Sequence, residues 1–400
     1  QTAQRRHRTR ARGAGGDADV KIGDLLVEFK ELAGIREELP VLTLTEKRGF
    51  VYQEERFSKR LATDDTSKYK VISENDIAFN PYLLWAGAIA QNRIVDSGII
   101  SPLYPTFRVR GGFDANYVYR LLLSEQMIAA YDQISFGSVP RRRRSSVKDF
   151  LSLPLPPQPT LDEQRRIAAI LDKADAIRTK RRQALDHFDK IGQAVFQEAV
   201  ETGSDSKLLL KDVAEFIRGV TFKPGDKVEP GEDAVAVMRT KNVQSKLERS
   251  DEIYIPRHLV RRDDQFLRVG DTLVSSANSW NLVGKCCFVE VLDEPAAIGG
   301  FVTVLRPHEV EQARWIYSWF SSGRTQAVVR SYSNQTTNIA NLDLKRCLNT
   351  PIPMPRASVL HGFNETLKKL DYQRLILLEA LQNDEALFAS LQSRAFKGEL

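Results

Sequence analysis

The chain has 400 residues, a formal net charge of +6, 42% hydrophobic residues and 28% charged residues. This composition is typical of a globular protein, and the length predicts two or three domains rather than a single core. No apolar run is long enough to span a bilayer, and the three cysteines lack the spacing of a disulfide framework or a zinc site. We therefore predict a cytoplasmic protein that binds no metal.

The basic residues are clustered rather than evenly spread. Arg141, Arg142, Arg143 and Arg144 are consecutive, and residues 1–19 mix arginine with glycine and alanine without any periodicity. Clustered cations create a local field that attracts a polyanion, whereas scattered cations mostly cancel. We predict a nucleic-acid partner, with residues 1–19 as a flexible basic tail that either contacts phosphates or is a disordered leader.

An internal repeat organises the chain. Residues 151–200 and 348–396 both open with a proline-rich step and continue into about forty residues without proline. Apolar residues recur there at spacings of three and four, which predicts two long amphipathic helices that pack through a narrow seam. The predicted seam residues are Ile170, Ile177, Phe188, Ile191, Val195, Leu367, Leu370, Leu377, Leu381, Phe388 and Leu391.

Two features of these helices leave alternatives open. Arg181, Arg374 and Asp384 interrupt the seam, where they either determine the register or lie at its edge with their charges in solvent. The helices themselves either pair with each other or are buried in separate cores.

The segments before the helices also resemble each other. Residues 68–80 and 264–276 both read as an apolar pair, a turn with aspartate and an apolar strand. We predict an α+β chain in which two α/β domains, 20–153 and 204–350, alternate with long helices at 154–203 and 351–400. If the two halves are related by a pseudo-two-fold axis, these helices pack as an antiparallel coiled coil.

The helical segments resemble those of the specificity subunits of type I restriction-modification enzymes. The residues that carry this resemblance are PLPPQPTLDEQRRIAAILDKAD, KIGQAVFQEAV, KYKVISENDIAFNP and NSWNLVGK. The resemblance implies two target recognition domains that the helices space along double-stranded DNA, reading a split, asymmetric target. It also implies docking of methyltransferase subunits, which we expect to be two, with restriction subunits joining the complex. S-adenosylmethionine, ATP and Mg²⁺ are then expected on the partner subunits.

Two pairs of loops are candidates for DNA contact, because arginine suits guanine and phosphate whereas asparagine and glutamine suit adenine. The first pair comprises the loops 135–146 and 330–342, and the second comprises Asn80-Pro81-Tyr82 and the turn at 278–281. The alternative for each loop is a solvated turn or an aromatic side chain packed on its own domain. The candidate DNA-binding residues are Asn80, Tyr82, Ser138, Arg141, Arg142, Arg143, Arg144, Asn278, Trp280, Arg330, Ser333, Asn334, Gln335, Thr337 and Asn338.

Motifs for catalysis are not apparent. Asn80-Pro81-Tyr82 lacks the second proline of an adenine methyltransferase motif, no GxxxxGK[ST] pattern occurs, and the five histidines have no metal spacing. We therefore predict a non-catalytic subunit. The alternatives are a self-contained modification or nuclease enzyme, a stand-alone DNA-binding regulator, and a coiled-coil adaptor.

Overall fold

A computed structural model of the chain describes residues 20–34, 38–46, 48–56, 65–137, 143–335 and 339–400. The predicted basic tail, residues 1–19, lies outside them. The chain forms two compact units: unit 1 comprises Gln1–Arg181 and Ala380–Leu400, and unit 2 comprises Arg182–Glu379. Among the described residues, no helix combines the length and apolarity needed to cross a membrane.

The described residues of unit 1 form three β-sheets and a set of short helices. Its elements before the first long helix are α1 (Ile22–Leu25), β1 (Leu26–Phe29), β2 (Leu42–Thr45), β3 (Gly49–Tyr52), α2 (Gln53–Arg56), β4 (Lys70–Ser73), β5 (Ile77–Phe79), β6 (Ile89–Gln91), β7 (Ser97–Ile100), β8 (Thr106–Val109), α3 (Ala115–Leu122), α4 (Glu125–Gln133) and α5 (Val147–Ser152). The strand orders are β1-β8-β5-β6, β2-β3 and β4-β7. The long helix α6 (Leu161–Gly203) begins in unit 1 and ends in unit 2.

Unit 2 has a similar sequence of elements. They are β9 (Ser204–Leu209), α7 (Leu210–Val213), β10 (Ala214–Arg218), β11 (Ala234–Met238), β12 (Ile253–Pro256), β13 (Thr272–Ser275), β14 (Ala277–Asn278), β15 (Cys286–Phe288), β16 (Ala296–Ile298), β17 (Val302–Pro307), α8 (Ala313–Ser321), α9 (Gly323–Ser331), β18 (Ser333–Gln335), β19 (Ala340–Leu342), α10 (Leu344–Leu348) and β20 (Pro351–Pro355). The strand orders are β10-β17-β13-β15, β12-β11-β16, β14-β19-β18 and β20-β9. The second long helix, α11 (Ala357–Lys397), begins in unit 2 and ends in unit 1.

The four-stranded sheets of the two units share one strand order. The four-stranded sheets β1-β8-β5-β6 and β10-β17-β13-β15 place their strands in the same order relative to the chain. Both units also start with the same cap, in which the carboxylates of Asp24 and Asp212 accept hydrogen bonds from the backbone N–H groups of Lys21 at 2.7 Å and Leu209 at 2.9 Å. The internal repeat therefore extends through the globular portions, whose sequences have diverged.

The proline steps pair with the segment that enters each domain. In unit 1, the N–H of Ile22 donates to the carbonyl of Leu153 at 3.1 Å. In unit 2, the N–H of Leu210 donates to the carbonyl of Thr350 at 3.0 Å, and β9 pairs with β20. Because proline has no N–H, it is confined to edge strands such as these.

The two long helices contact each other within both units, and they run antiparallel. In unit 1, Arg181 forms an ion pair with Asp384, and the guanidinium carbon of Arg178 lies 3.5 Å from the ring centre of Phe388. In unit 2, the ring centres of Phe196 and Phe363 are 6.2 Å apart. Residue numbers rise along α6 as they fall along α11, which confirms the antiparallel arrangement. Arg181 and Asp384 therefore neutralise each other's charge where the two helices pack together.

Each end of a long helix belongs to the core of one unit. Ile167 and Leu171 of α6 lie in the core of unit 1, whereas Phe196 near its other end lies in the core of unit 2. For α11 the order is reversed, with Phe363 in unit 2 and Phe396 in unit 1. Each unit thus combines a domain, the start of the helix that follows it and the end of the other helix.

The predicted seam is wrong at two positions. Ile177 and Ile191 are 44% and 43% exposed. Leu367 and Phe388 are buried, and the other predicted seam residues are half-buried: Ile170, Phe188, Val195, Leu370, Leu377, Leu381 and Leu391. The reason is that the helix ends turn a wider apolar face to a domain core, as a globular helix does, rather than the narrow stripe of a two-helix seam.

Candidate nucleic-acid interface

In unit 1, the two candidate loops lie side by side. The backbones of Phe136 and Arg144 exchange two hydrogen bonds, at 3.2 Å and 2.9 Å, which closes the loop between them. The next residue, Ser145, donates its N–H to the carbonyl of Pro81 at 2.9 Å. Below this pairing, the hydroxyls of Ser135 and Ser145 are buried and hydrogen-bonded at 2.6 Å. The loops selected separately from the sequence therefore form one surface.

Unit 2 joins its two loops in the same way. Strand β19 pairs with β18 on one side and with β14 on the other. The N–H of Leu342 donates to the carbonyl of Ser276 at 2.8 Å, in the place of the Ser145–Pro81 bond of unit 1. Both units thus build one junction of three backbone segments, which we call the loop junction: residues 81–82, 135–136 and 144–145 in unit 1, and 276–278, 333–335 and 340–342 in unit 2.

The asparagines of the turns make local contacts. The side-chain oxygen of Asn80 accepts from the N–H of Tyr82 at 3.0 Å. Asn278 donates to the hydroxyl of Ser275 at 3.0 Å and accepts from the N–H of Ser279 at 2.8 Å. These bonds stabilise the turns, so they favour a structural role for Asn80 and Asn278.

The predicted aromatic residues of the turns are partly exposed. Tyr82 is 39% exposed and Trp280 is 41% exposed. The indole of Trp85, a residue outside the predicted set, donates to the carbonyl of Tyr82 at 3.0 Å and holds the turn in place. Tyr82 and Trp280 therefore both remain accessible for contact with a ligand.

The arginines of the first loop differ in their surroundings. Arg143 donates to the carboxylate of Asp132 at 2.6 Å and to the carbonyls of Asp132 and Ser135, at 2.6 Å and 3.1 Å. Arg144 is exposed, and its guanidinium carbon lies 5.6 Å from the ring centre of Tyr82. Arg143 therefore anchors the loop, whereas Arg144 presents its charge at the surface. Ser138, Arg141 and Arg142 lie outside the described residues.

In the second loop, the predicted residues divide between the surface and the interior. Asn334 and Gln335 are exposed. Arg330 is half-buried, and its Nε atom and the hydroxyl of Ser333 are buried without a hydrogen-bond partner among the described residues. Thr337 and Asn338 lie outside the described residues. Of the predicted residues in this loop that the structure describes, only Asn334 and Gln335 are therefore exposed enough to contact base edges directly.

Two exposed residues of the junction were not predicted. Phe136 is 69% exposed beside the arginine loop, and Asn341 is exposed on the central strand β19. The signal for Asn341 was the alternation of Ala340, Asn341 and Leu342, in which a polar residue stands between two apolar ones. This three-residue strand was too short to recognise from the sequence.

Reactive groups for covalent or metal chemistry are not evident in the described residues. No three or more His, Cys, Asp and Glu side chains in that part of the chain could hold a metal ion together. Burial raises the pKa of the Cys287 and Cys347 thiols to about 12, and it also raises the pKa of Cys286. Since the thiolate is the nucleophile, these cysteines are unreactive at neutral pH.

Fold and sequence comparisons point to one class of protein. A chain in a solved structure concerned with complex assembly and conformational transition of the type I restriction-modification system aligns with a TM-score of 0.54 and 15% identity, covering 95% of this chain and 97% of that chain. This likeness shows the fold: two domains of helices and strands alternating with two long helices.

Two curated proteins are similar to part of the sequence, whereas no family model matches the chain. They are the type I restriction enzyme EcoKI specificity subunit of Escherichia coli (strain K12), 28% identical over 147 residues, and the StySPI specificity subunit of Salmonella potsdam, 27% identical over 147 residues. Each match covers 35% of this chain and 31% of the relative. The resemblance to type I specificity subunits is thereby confirmed.

Proposed function

We propose that this chain is the DNA-specificity subunit of a cytoplasmic type I restriction-modification complex. In this role it reads a split, asymmetric target through its two units and docks methyltransferase subunits, which we expect to be two. It performs no catalysis itself, and S-adenosylmethionine, ATP and Mg²⁺ bind to the partner subunits.

One observation carries the proposal: the loop junction is built twice on the same backbone plan from different side chains. The junction of unit 1 exposes Phe136, Arg144 and Tyr82, whereas that of unit 2 exposes Asn334, Gln335 and Asn341. A repeated scaffold with differing exposed polar groups is what two readers of different half-sites require, since base edges are distinguished by donor and acceptor pattern. The exposed arginine also suits a polyanionic partner.

The long helices support the docking part of the proposal. Several large apolar side chains of α11 remain exposed, among them Tyr372 at 63%, Leu375 at 54% and Leu387 at 54%. Exposed apolar surface on a helix scaffold is typical of a protein–protein interface. A coiled-coil adaptor would also need an exposed apolar surface to bind its partners. The experiment must therefore test whether the chain reads DNA.

The decisive experiment uses the full chain with its methyltransferase subunits. The complex is incubated with unmethylated genomic DNA, and the modified adenines are located by sequencing. We expect methylation at one split target, and none with the methyltransferase subunits alone or with the chain alone. Methylation that is absent or independent of this chain would contradict the proposal. Sequence-specific DNA binding without any conferred methylation would instead identify a stand-alone regulator.

A further inference from the structure

The loop junction has an inner and an outer face in both units. In unit 1, the paired residues Ser135 and Ser145 are 6% and 2% exposed, whereas Phe136 is 69% exposed and Arg144 is exposed. Successive side chains of a strand point to opposite faces. Phe136 and Arg144, which pair across the ladder, therefore share the outer face.

Unit 2 repeats this alternation along β19, where the exposed Asn341 stands between Ala340 and Leu342, which are 1% and 8% exposed. Asn341 pairs with Asn334 of β18, which is also exposed. Side chains that oppose each other across an antiparallel ladder have Cβ atoms about 5 Å apart. The two asparagine amides of unit 2 therefore stand next to each other on the outer face.

The third segment of each junction adds one more outer residue. Ala277 pairs with Asn341 in the β14-β19 ladder. In unit 1, the equivalent bond from Ser145 to Pro81 brings Tyr82 beside Arg144. The outer row is therefore Phe136, Arg144 and Tyr82 in unit 1, and Asn334, Asn341 and Ala277 in unit 2. In this register, Tyr82 of unit 1 corresponds to Ala277 of unit 2.

The central residue of each row has the chemistry of a base reader. The major groove of B-DNA accepts a two-stranded β-ribbon; asparagine there pairs with adenine through two hydrogen bonds, and arginine pairs with guanine in the same way. Asn341 has the small Ala277 on one side and a second amide, Asn334, on the other, so it is accessible to a base edge. The Tyr82 ring beside Arg144 orients a planar guanidinium, which stacks on aromatic faces.

We propose that the outer rows are the base-reading elements of the two units, with Asn341 reading an adenine in one half-site and Arg144 reading a guanine in the other. This inference rests on the proposed function. It assigns readout to Asn341, outside the set predicted from the sequence, and assigns Asn80, Asn278 and Arg143 to support, because their polar groups are engaged within their own loops.

The test uses the reconstituted methyltransferase complex with three variants of this chain. Asn341→Ala and Arg144→Lys each remove a bidentate contact, and the lysine keeps the positive charge. Asn383→Ala removes an exposed amide from α11 and is the matched control. Methylated-adenine sequencing and competition with base-substituted duplexes are the readouts, and thermal melting with complex assembly verifies folding.

We expect Asn341→Ala to lower discrimination roughly tenfold to hundredfold at one A·T pair of one half-site, leaving the other half-site unchanged. Arg144→Lys should do the same at one G·C pair of the other half-site, while Asn383→Ala preserves the target. Asn341→Asp keeps the side-chain shape and replaces the amide donor by an acceptor, so the complex should no longer prefer adenine at this position. This variant keeps the test decisive if Asn341→Ala folds poorly.

Two results separate the possible failures. If the wild-type complex methylates a split target but the Asn341 variants retain full discrimination, or lose it at a G·C pair, the outer row is not the reader. If the wild-type complex has no split target at all, the proposed function itself fails.

Discussion

Arg306 and Asp271 form a bidentate ion pair inside unit 2, with Nε donating to Oδ1 at 2.8 Å and Nη2 donating to Oδ2 at 2.7 Å. Their side chains are 8% and 1% exposed, and Arg306 also donates to the carbonyls of Asp264 and Phe266. The equivalent pair in unit 1, Arg108 with Asp76, has a longer contact of 3.3 Å, and Arg108 is 48% exposed. The repeat thus preserves the pair and its buried aspartate, since Asp76 is 6% exposed, but it buries the arginine only in unit 2.

This difference predicts unequal effects of matched substitutions. Arg306→Met leaves a buried carboxylate without its partner, so we expect it to lower the free energy of unfolding by about 3–5 kcal/mol. Arg108→Met also leaves a buried carboxylate, that of Asp76, but it should cost less, about 1–2 kcal/mol, since solvent screens the exposed arginine of this pair. Urea denaturation monitored by tryptophan fluorescence provides the comparison. Equal costs for the two variants would show that burial does not determine the strength of this pair.

The sequence predicted the features that depend on local pattern, and it missed those that depend on tertiary contacts. Spacing of apolar residues and the absence of proline sufficed for two helices of 43 and 41 residues. Ile177 satisfies the same spacing but is 44% exposed. The periodicity of apolar residues predicts which of them share one face of a helix. Which part of that face is buried depends on the domain cores that contact the ends of the helix.

The candidate site was predicted with similar limits. The sequence located both loops of each junction, because polar and glycine-containing turns between apolar strands are recognisable locally. It did not show that Arg143 is engaged by Asp132, or that Asn341 lies on the outer face beside Asn334. Those facts depend on pairing between segments distant in sequence, and a single sequence carries no signal for such pairing.

Equivalent aspartates of the two long helices should respond to pH in opposite ways. Asp175 is half-buried, and this desolvation opposes its ionisation, but the charge of Arg120 and hydrogen bonds from Arg178 and Arg120 lower its pKa below the usual 3.8. Arg120 lies 2.8 Å from this carboxylate. Asp371 occupies the matching position of α11, yet burial raises its pKa above 3.8 despite Arg314 at 2.6 Å, with Glu290 adding to the rise.

The sign of each contribution follows from linkage. The stabilisation from Asp175 is present above pH 3.8 and is lost as the pH falls through its lowered pKa in the folded protein. For Asp371 the folded state favours the proton, so stability decreases as the pH rises from 3.8 through the raised pKa. Asp175→Asn should therefore be the more destabilising variant at neutral pH, and its cost should shrink on acidification.

Denaturant titrations of both variants, from neutral pH to about pH 2, measure these effects, because the cost of Asp175→Asn should fall only once the pH drops below about 3.8. The cost of Asp371→Asn should be smaller at neutral pH and should not shrink as the solution is acidified. An Asp175→Asn variant whose cost is the same at about pH 2 as at neutral pH would exclude the assigned role of the Arg120 ion pair.

The arginine run should separate into anchoring and DNA-contacting members. Replacing both Arg141 and Arg142 with glutamine should reduce the salt slope of DNA binding by roughly 2, since each phosphate contact contributes about 0.9. Arg143→Gln should leave the slope unchanged, because that guanidinium is bound to Asp132, but should lower stability by about 1–3 kcal/mol. Fluorescence anisotropy at several salt concentrations and thermal melting distinguish the two effects. A reduced slope for Arg143→Gln would show that the residue reaches DNA despite its internal contacts.

The last prediction concerns the independence of the two readers. The two ends of the segment 210–350 lie next to each other, because the N–H of Leu210 donates to the carbonyl of Thr350. The strands β9 and β20, which flank the segment on either side, pair with each other. Exchanging this segment for the corresponding segment of a known type I specificity subunit therefore keeps the strand pairing and both long helices. The donor segment must supply an aromatic residue at position 315, because Trp315 contacts Phe196 and Phe363 with ring centres 4.8 Å and 5.1 Å away.

If bases are read by side chains of each loop junction, as we propose, the exchange should change one half of the methylated target and leave the other half as it was. The reciprocal exchange of residues 22–153, which is bounded by the Ile22–Leu153 hydrogen bond, is the matched control and should change the opposite half. Sequencing of methylated adenines in DNA modified by each complex is the measurement. If either exchange alters both half-sites together, the units do not read DNA independently, and the repeat then serves assembly rather than recognition.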